Sequence, residues 1–230
     1  MDLIYTISRS KRRTLAIKIS EGEVRVLAPN RFSDRKIAQV LATRESWIRK
    51  HLQRQQALIS VTPERSWQHG ETIPWLGQPL QLQVSNGGTS GIERVADKLH
   101  ITLGSRVKHA QRQIRSLVIQ WYQQQAQAWL NQYLPQAFTQ PRQSRIASYK
   151  AKWGACTRSG EVSLSWKLWL APEWVVTYVV QHELVHLTHF DHSKAFWQRV
   201  AEVNPDYRKA ESWLRQHGHT VLSERYLNWQ

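Results

Sequence analysis

The chain has 230 residues, 41% of them hydrophobic, with twelve Trp and a formal net charge of +15 at pH 7. That apolar content excludes a disordered chain and suffices for one catalytic domain with a smaller companion. Cys156 is the single cysteine, which excludes an intramolecular disulfide, and no apolar run approaches the roughly 18 residues of a membrane span.

The first segment reads as β-rich. Leu3 to Ile7, Thr14 to Ile19 and Glu23 to Leu27 alternate or cluster β-formers, Glu21-Gly22 is a turn signal, and Ala28-Pro29 closes what reads as a meander. Met1 to Arg13 carries basic residues where a signal peptide has its apolar stretch, so a cytoplasmic protein is expected. A helix follows, with Ser33 as N-cap and Ile37, Val40, Leu41, Trp47, Ile48 and Leu52 as its apolar stripe, running to about Leu58. After a turn at Thr62-Pro63, strands are expected at Glu71 to Trp75, Pro79 to Val84 and Lys98 to Leu103, with Asn86-Gly87-Gly88 between two of them.

Near residue 104 the period changes, which divides the chain into a β-rich N-terminal domain with one helix, 1–104, and a catalytic domain, 105–230. Val107, Ala110, Ile114, Leu117, Val118, Trp121, Ala128 and Trp129 recur at helical spacing up to Pro135, opposite a glutamine-rich face. Strands at Arg145 to Ala151 and Glu161 to Trp166 flank a loop through Lys152-Trp153-Gly154-Ala155-Cys156. A helix starting at Pro172 packs on this sheet, and a last helix spans Tyr207 to His217.

The helix from Pro172 carries His182-Glu183-Leu184-Val185-His186, an HExxH sequence. One helical turn separates the two imidazoles, so both reach a single metal ion, and Glu183 between them reaches a water on that ion. Trp174, Val175, Tyr178, Val179 and Val180 form an apolar wall before the motif, and burying two imidazoles and a carboxylate demands that all three be satisfied, which a divalent cation does. The third ligand expected is His192, because Asp191 favours a turn that brings the chain back from another direction. His189 would sit about 4.5 Å further along the same helix axis, nearly collinear with the first two, and is assigned to the surroundings of the site or to an exposed helix end. Glu202 and Glu211 are the alternative third ligands. His217 and His219 are read as exposed, Tyr178 and Tyr207 as buried packing with assistance as hydrogen-bond donors the alternative, and Cys156 as a packed thiol in preference to a nucleophile.

The positive charge is concentrated. Residues 1–60 hold thirteen Lys and Arg against five acids. Arg9, Lys11, Arg12 and Arg13 form one cluster and Arg44, Arg49, Lys50 and Arg54 another, surfaces suited to nucleic acid or nucleotide phosphates, or else a solvated basic face.

Nearly the whole chain resembles the YgjP-like metallopeptidases, small zincins related to the SprT-like and WLM-type proteases. The resemblance lies in Ser10-Lys11-Arg12-Arg13-Thr14-Leu15, Ala28-Pro29, Trp47-Ile48 and Gly77, then Lys152-Trp153-Gly154-Ala155-Cys156, Ser163-Leu164-Ser165-Trp166 and Leu170-Ala171-Pro172. It culminates in His182-Glu183-Leu184-Val185-His186-Leu187 and His192-Ser193-Lys194-Ala195-Phe196-Trp197. Ala155 stands where the family has Ser, and Ser165 where it has Asn. The resemblance implies an α+β fold with a zincin-like catalytic domain, Zn2+ on His182, His186 and His192, Glu183 as catalytic base, and a protein or peptide substrate. A metal-dependent nucleotide phosphohydrolase, and a protease delivered to nucleic acid by its basic N-terminal surface, are the other functions it leaves open.

Overall fold

A computed structural model describes residues 3–20, 22–61 and 65–222, so the turn expected at Thr62-Pro63 lies outside the described residues, as does Glu21. Contacts group the described residues up to 61 into a smaller compact unit and Arg65–Leu222 into a larger one. Among the described residues no helix is long and apolar enough to cross a membrane.

In the smaller unit, β1 (Thr6–Ser10), β2 (Ala16–Ser20) and β3 (Glu23–Pro29) form a sheet ordered β1-β3-β2. The expected meander is corrected: β3 pairs parallel with β1 and antiparallel with β2. The reason is burial. Val24, Val26 and Ala28 alternate inward on β3, whereas every residue of β1 is exposed, so β3 takes the centre. The helix α1 (Asp34–Val61) starts where expected, with the Lys36 amide donating to Ser33 Oγ at 3.3 Å. It lays Ile37, Leu41 and Ile48 against the inward face of β3. Each such burial contributes about 1.5–3 kcal/mol.

The larger unit is α+β. The strands β4 (Thr72–Trp75), β5 (Gln78–Gly87), β6 (Gly91–Val95) and β7 (Lys98–Gly104) form a sheet ordered β4-β5-β7-β6, with β5 and β7 parallel. A long helix, α2 (Ala110–Tyr133), contacts this sheet on one side and the next strand, β8 (Gln143–Ala147), on the other. It buries Ile114, Val118, Trp121, Tyr122, Ala126 and Leu130. Trp75, Trp121, Tyr122 and Trp166 form a chain of tilted and edge-on ring contacts with centroids 5.1 to 5.5 Å apart, and the Tyr122 hydroxyl donates to the Pro74 carbonyl. The glutamine-rich face has its own partner, for Gln127 Oε1 accepts from the Ile146 amide of β8 at 3.2 Å.

The second sheet of this unit is ordered β8-β10-β9, with β9 spanning Gly154–Cys156 and β10 spanning Glu161–Ser165. Again the later strand enters the middle, parallel to one neighbour and antiparallel to the other. On it packs α3 (Glu173–Val185), which also contacts α4 (Lys194–Val203) and α5 (Tyr207–Leu222). The last helix therefore runs five residues beyond the expected His217. Lys167, 2% exposed, donates through Nζ to the Leu222 carbonyl at 3.1 Å near its end.

Candidate metal centre and active site

The start of α3 is fixed by a turn. Gly77 has φ +79, a backbone state open to glycine, and a Cβ there would lie 3.0 Å from Pro172 Cα. Pro172 itself stays just outside the helix as its N-cap, with its carbonyl accepting from the Val175 and Val176 amides at 2.9 and 3.1 Å. From there Val175, Val176, Val179, Val180, Leu184 and Val185 are all buried, so α3 is largely apolar, and His182 and Glu183 are polar residues placed near its end among these valines.

The helix ends on the motif. Val185 is its last residue, and His186 is the C-cap with φ −62. The chain then turns, so His189 leaves the helix axis: its backbone carbonyl comes back to His186 Nδ1 at 2.8 Å, and its ring Nδ1 lies 2.8 Å from Thr188 Oγ1. A second turn follows in which Asp191 Oδ1 accepts from the Ser193 amide, and Ser193 caps α4 by accepting from Phe196 N at 3.4 Å. This reversal carries His192 back over α3.

His192 Nε2 lies 3.2 Å from His182 Nε2, and one ligand atom from each of His182, His186 and His192 lies within 4.8 Å of the others. Among the described residues this is the group of His, Cys, Asp and Glu able to hold a metal ion. Burial, and then the neighbouring His186 and His192, push the His182 ring down to about 3, and burial likewise lowers His186. Neutral imidazoles offer the lone pair a cation needs. The contact at His189 bears on His186 as well, for an Nδ1 proton donated to that carbonyl leaves the Nε2 lone pair as the one that could meet a cation. Under all three rings lies Phe196, fully buried, with its centroid 4.5 to 4.9 Å from theirs.

Glu183 is 7% exposed, and burial lifts its carboxyl to about 7, against the opposing pull of the Lys152 ammonium. Lys152 sits 4.1 Å above the Tyr149 ring, whose hydroxyl is 2.6 Å from Ser163 Oγ. The carboxylate presses on β9: a Cβ at Gly154 would meet Glu183 Oε1 at 2.6 Å and Cγ at 2.7 Å. Gly154→Ala is therefore expected to displace the Glu183 side chain and, with Glu183 as the catalytic base the sequence predicts, to lower hydrolytic activity by about 100-fold while metal content stays at the wild-type value. Elemental analysis beside a peptide assay checks this, and full activity in Gly154→Ala would refute the contact.

The alternatives are not gathered here. Glu202 pairs with Arg199 at 2.8 Å on the surface, and Glu211, on α5, is outside the three-histidine group. Cys156 donates to the Thr157 carbonyl at 3.5 Å, and burial, with the Glu183 charge, raises its thiol above the ordinary value, the opposite of an activated nucleophile. Tyr178 is buried against the His182 ring, and Tyr207 stacks on Trp197. His217 and His219 are exposed on α5. Of the departures from the family pattern, Ala155 pairs with Ser163, and Ser165 buries a hydroxyl with no hydrogen-bond partner among the described residues. In the N-terminal clusters Arg9 pairs with Asp34 and Arg49 with Glu45, while the Arg54 side chain lies outside the described ones. Three contributors were missed from the sequence: Gly154, Phe196 and the His189 carbonyl. Phe196 had a signal in its position four residues after His192, one helical turn; the others had none.

Comparison with curated proteins and with solved structures gave no significant match. The family model of the YgjP-like metallopeptidase domain matches residues 13–217, a stretch that takes in Gly77, Gly154, Glu183 and all three histidines, and the chain belongs to the YgjP-like metallopeptidase family.

Proposed function

We propose that the chain hydrolyses peptide bonds with a zinc ion held by His182, His186 and His192 and with Glu183 as general base. The observation that carries this is the 3.2 Å approach of the His192 and His182 Nε2 atoms, one from the turn before α4 and the other from α3. Tetrahedral zinc with Zn–N of about 2.0–2.1 Å places its ligand nitrogens about 3.3 Å apart. A cation between them would take a lone pair from each.

When bound, zinc supplies Lewis acidity, making a water acidic near neutrality and polarising the scissile carbonyl. The protein does the rest. Glu183 takes the proton of the attacking water on its carboxylate and delivers it to the departing amide nitrogen, and a carboxyl poised near 7 suits both directions of transfer. Gly154 holds that carboxylate in place, and the three imidazoles hold their orientation through Phe196 and the His189 carbonyl.

Two other readings draw on the basic composition: nucleotide phosphate hydrolysis at the same site, and recruitment to nucleic acid. One experiment covers the site. Protein purified without added metal is analysed for its elements, then assayed on casein and on nucleoside triphosphates before and after chelation. Zinc at one equivalent per chain, with casein hydrolysis lost on chelation and restored by zinc, is the expected result. Casein hydrolysis indifferent to chelation would sink the proposal, and pyrophosphate release in its place would move the reading to the phosphohydrolase.

A further inference from the structure

A cavity of about 770 Å³ opens where the end of β7, the loop after β5 and the start of α2 meet. It shares no residue with the histidine centre. Arg106, Lys108, His109 and Arg112 line it, and no lining residue is acidic. Arg106, Lys108 and Arg112 are exposed, and among the described residues none of them has a carboxylate partner. Three fixed positive charges around one concavity thus stay uncompensated by the protein. Arg115 feels the excess: burial first, and then the Arg112 charge, lower its hold on its proton.

The rest of the wall suits the oxygens of an anion. Ser90, Ser105 and Ser116 supply hydroxyls, and Ser90 Oγ, accepting from the Gly104 amide at 2.9 Å, ties the loop after β5 to the end of β7. The first turn of α2 opens on the same space with no acidic residue in it and no side-chain cap from His109, so its positive end adds to the cationic field. No Phe, Tyr or Trp lines the cavity, and His109 is its one ring, so the wall is dominated by cationic and hydroxyl groups rather than by stacking surfaces.

We propose that this cavity binds a phosphate-bearing anion, gripping its phosphate oxygens through Arg106, Lys108 and Arg112 and ignoring the identity of any attached base. Phosphate is the anion that matches several convergent cationic and hydroxyl donors, with guanidinium forks bridging its oxygens in pairs. Such phosphates come either from a small anion such as pyrophosphate or from the backbone of a nucleic-acid strand. Contacts of this kind position a ligand without reading sequence.

The test uses the full chain and two probes, a fluorescein-labelled 12-nucleotide single strand followed by anisotropy and inorganic pyrophosphate followed by calorimetry. The variant Arg106→Ala/Lys108→Ala/Arg112→Ala is compared with Lys11→Ala/Arg12→Ala/Arg13→Ala, which removes the same charge elsewhere; all six side chains lie outside the buried core, and thermal melts verify that both variants fold. The cavity variant is expected to bind about 10-fold more weakly or worse, with the log–log salt slope for the strand shallower by about 2, whereas the control changes by less than about 3-fold. Tight binding of pyrophosphate that displaces the strand assigns the site to small phosphate anions, and strand binding that pyrophosphate does not displace assigns it to a polymer backbone. Equal losses in the two variants, showing diffuse attraction to a basic protein, would overturn the proposal, as would the absence of binding by either probe.

Discussion

Glu183→Gln is expected to lower casein hydrolysis by about 10²–10⁴-fold, the range general acid–base catalysis supplies, with metal content and melting temperature close to wild type. The expectation rests on shape and burial together. Glutamine fills the same space against Gly154, whose missing Cβ leaves room for the Glu183 carboxylate and little more. An amide cannot accept the proton of the attacking water. Nor does the surrounding structure demand a charge at this position, since burial lifts the Glu183 carboxyl to about 7 and the neutral form is already accessible near neutrality. Turnover of a fluorogenic peptide, run beside elemental analysis, checks the prediction. Retention of a tenth or more of wild-type turnover in Glu183→Gln would remove Glu183 from the role of base.

His192→Ala is expected to weaken metal binding by more than about 100-fold, since changes to partners behind a ligand already cost 10–100-fold. Its fold should survive. His192 is exposed in the turn before α4, whereas the core beneath it is made by Phe196, Val200 and the valines of α3. Glu202→Ala is the matched control, because Glu202 answers to Arg199 on the surface. Competition with a chromogenic zinc chelator reads both variants. If Glu202→Ala released the metal and His192→Ala did not, the ligand set would have to be redrawn around a carboxylate.

The helices were legible because their signals are local. Ser33 caps α1, and Pro172 stands at the threshold of α3. Of the expected α2 stripe, Ile114, Val118 and Trp121 are buried, while Val107 falls before the helix and Ala110 and Ala128 are exposed. Propensity, capping and periodicity thus located the helices more closely than their buried faces. Strand partners were not legible. A period of two identifies a strand without naming its neighbour, and in all three sheets a later strand enters between two earlier ones. Two strands escaped notice for the same reason: β6 reads Gly-Ile-Glu-Arg-Val and is largely exposed, and β9 is three residues long, so pairing with β7 and β10 decides what propensity leaves open. At the site, the three histidines and Glu183 declare themselves by spacing and by the turn signal of Asp191. Gly154 does not, because its importance is the absence of a side chain next to a residue 29 positions away.

The Phe196 ring carries a consequence for which cation the protein can use. Three imidazoles pack against one buried aromatic ring, and a backbone carbonyl meets His186, so the donors gathered here are nitrogens held close together. Magnesium and calcium need shells of six or more oxygens, which three imidazole nitrogens do not supply. Zinc and its first-row neighbours favour imidazole and accept low coordination. A cation held by the three histidines, as proposed above, would therefore be a transition metal rather than an alkaline-earth ion, with Phe196 helping to keep the nitrogen donors together.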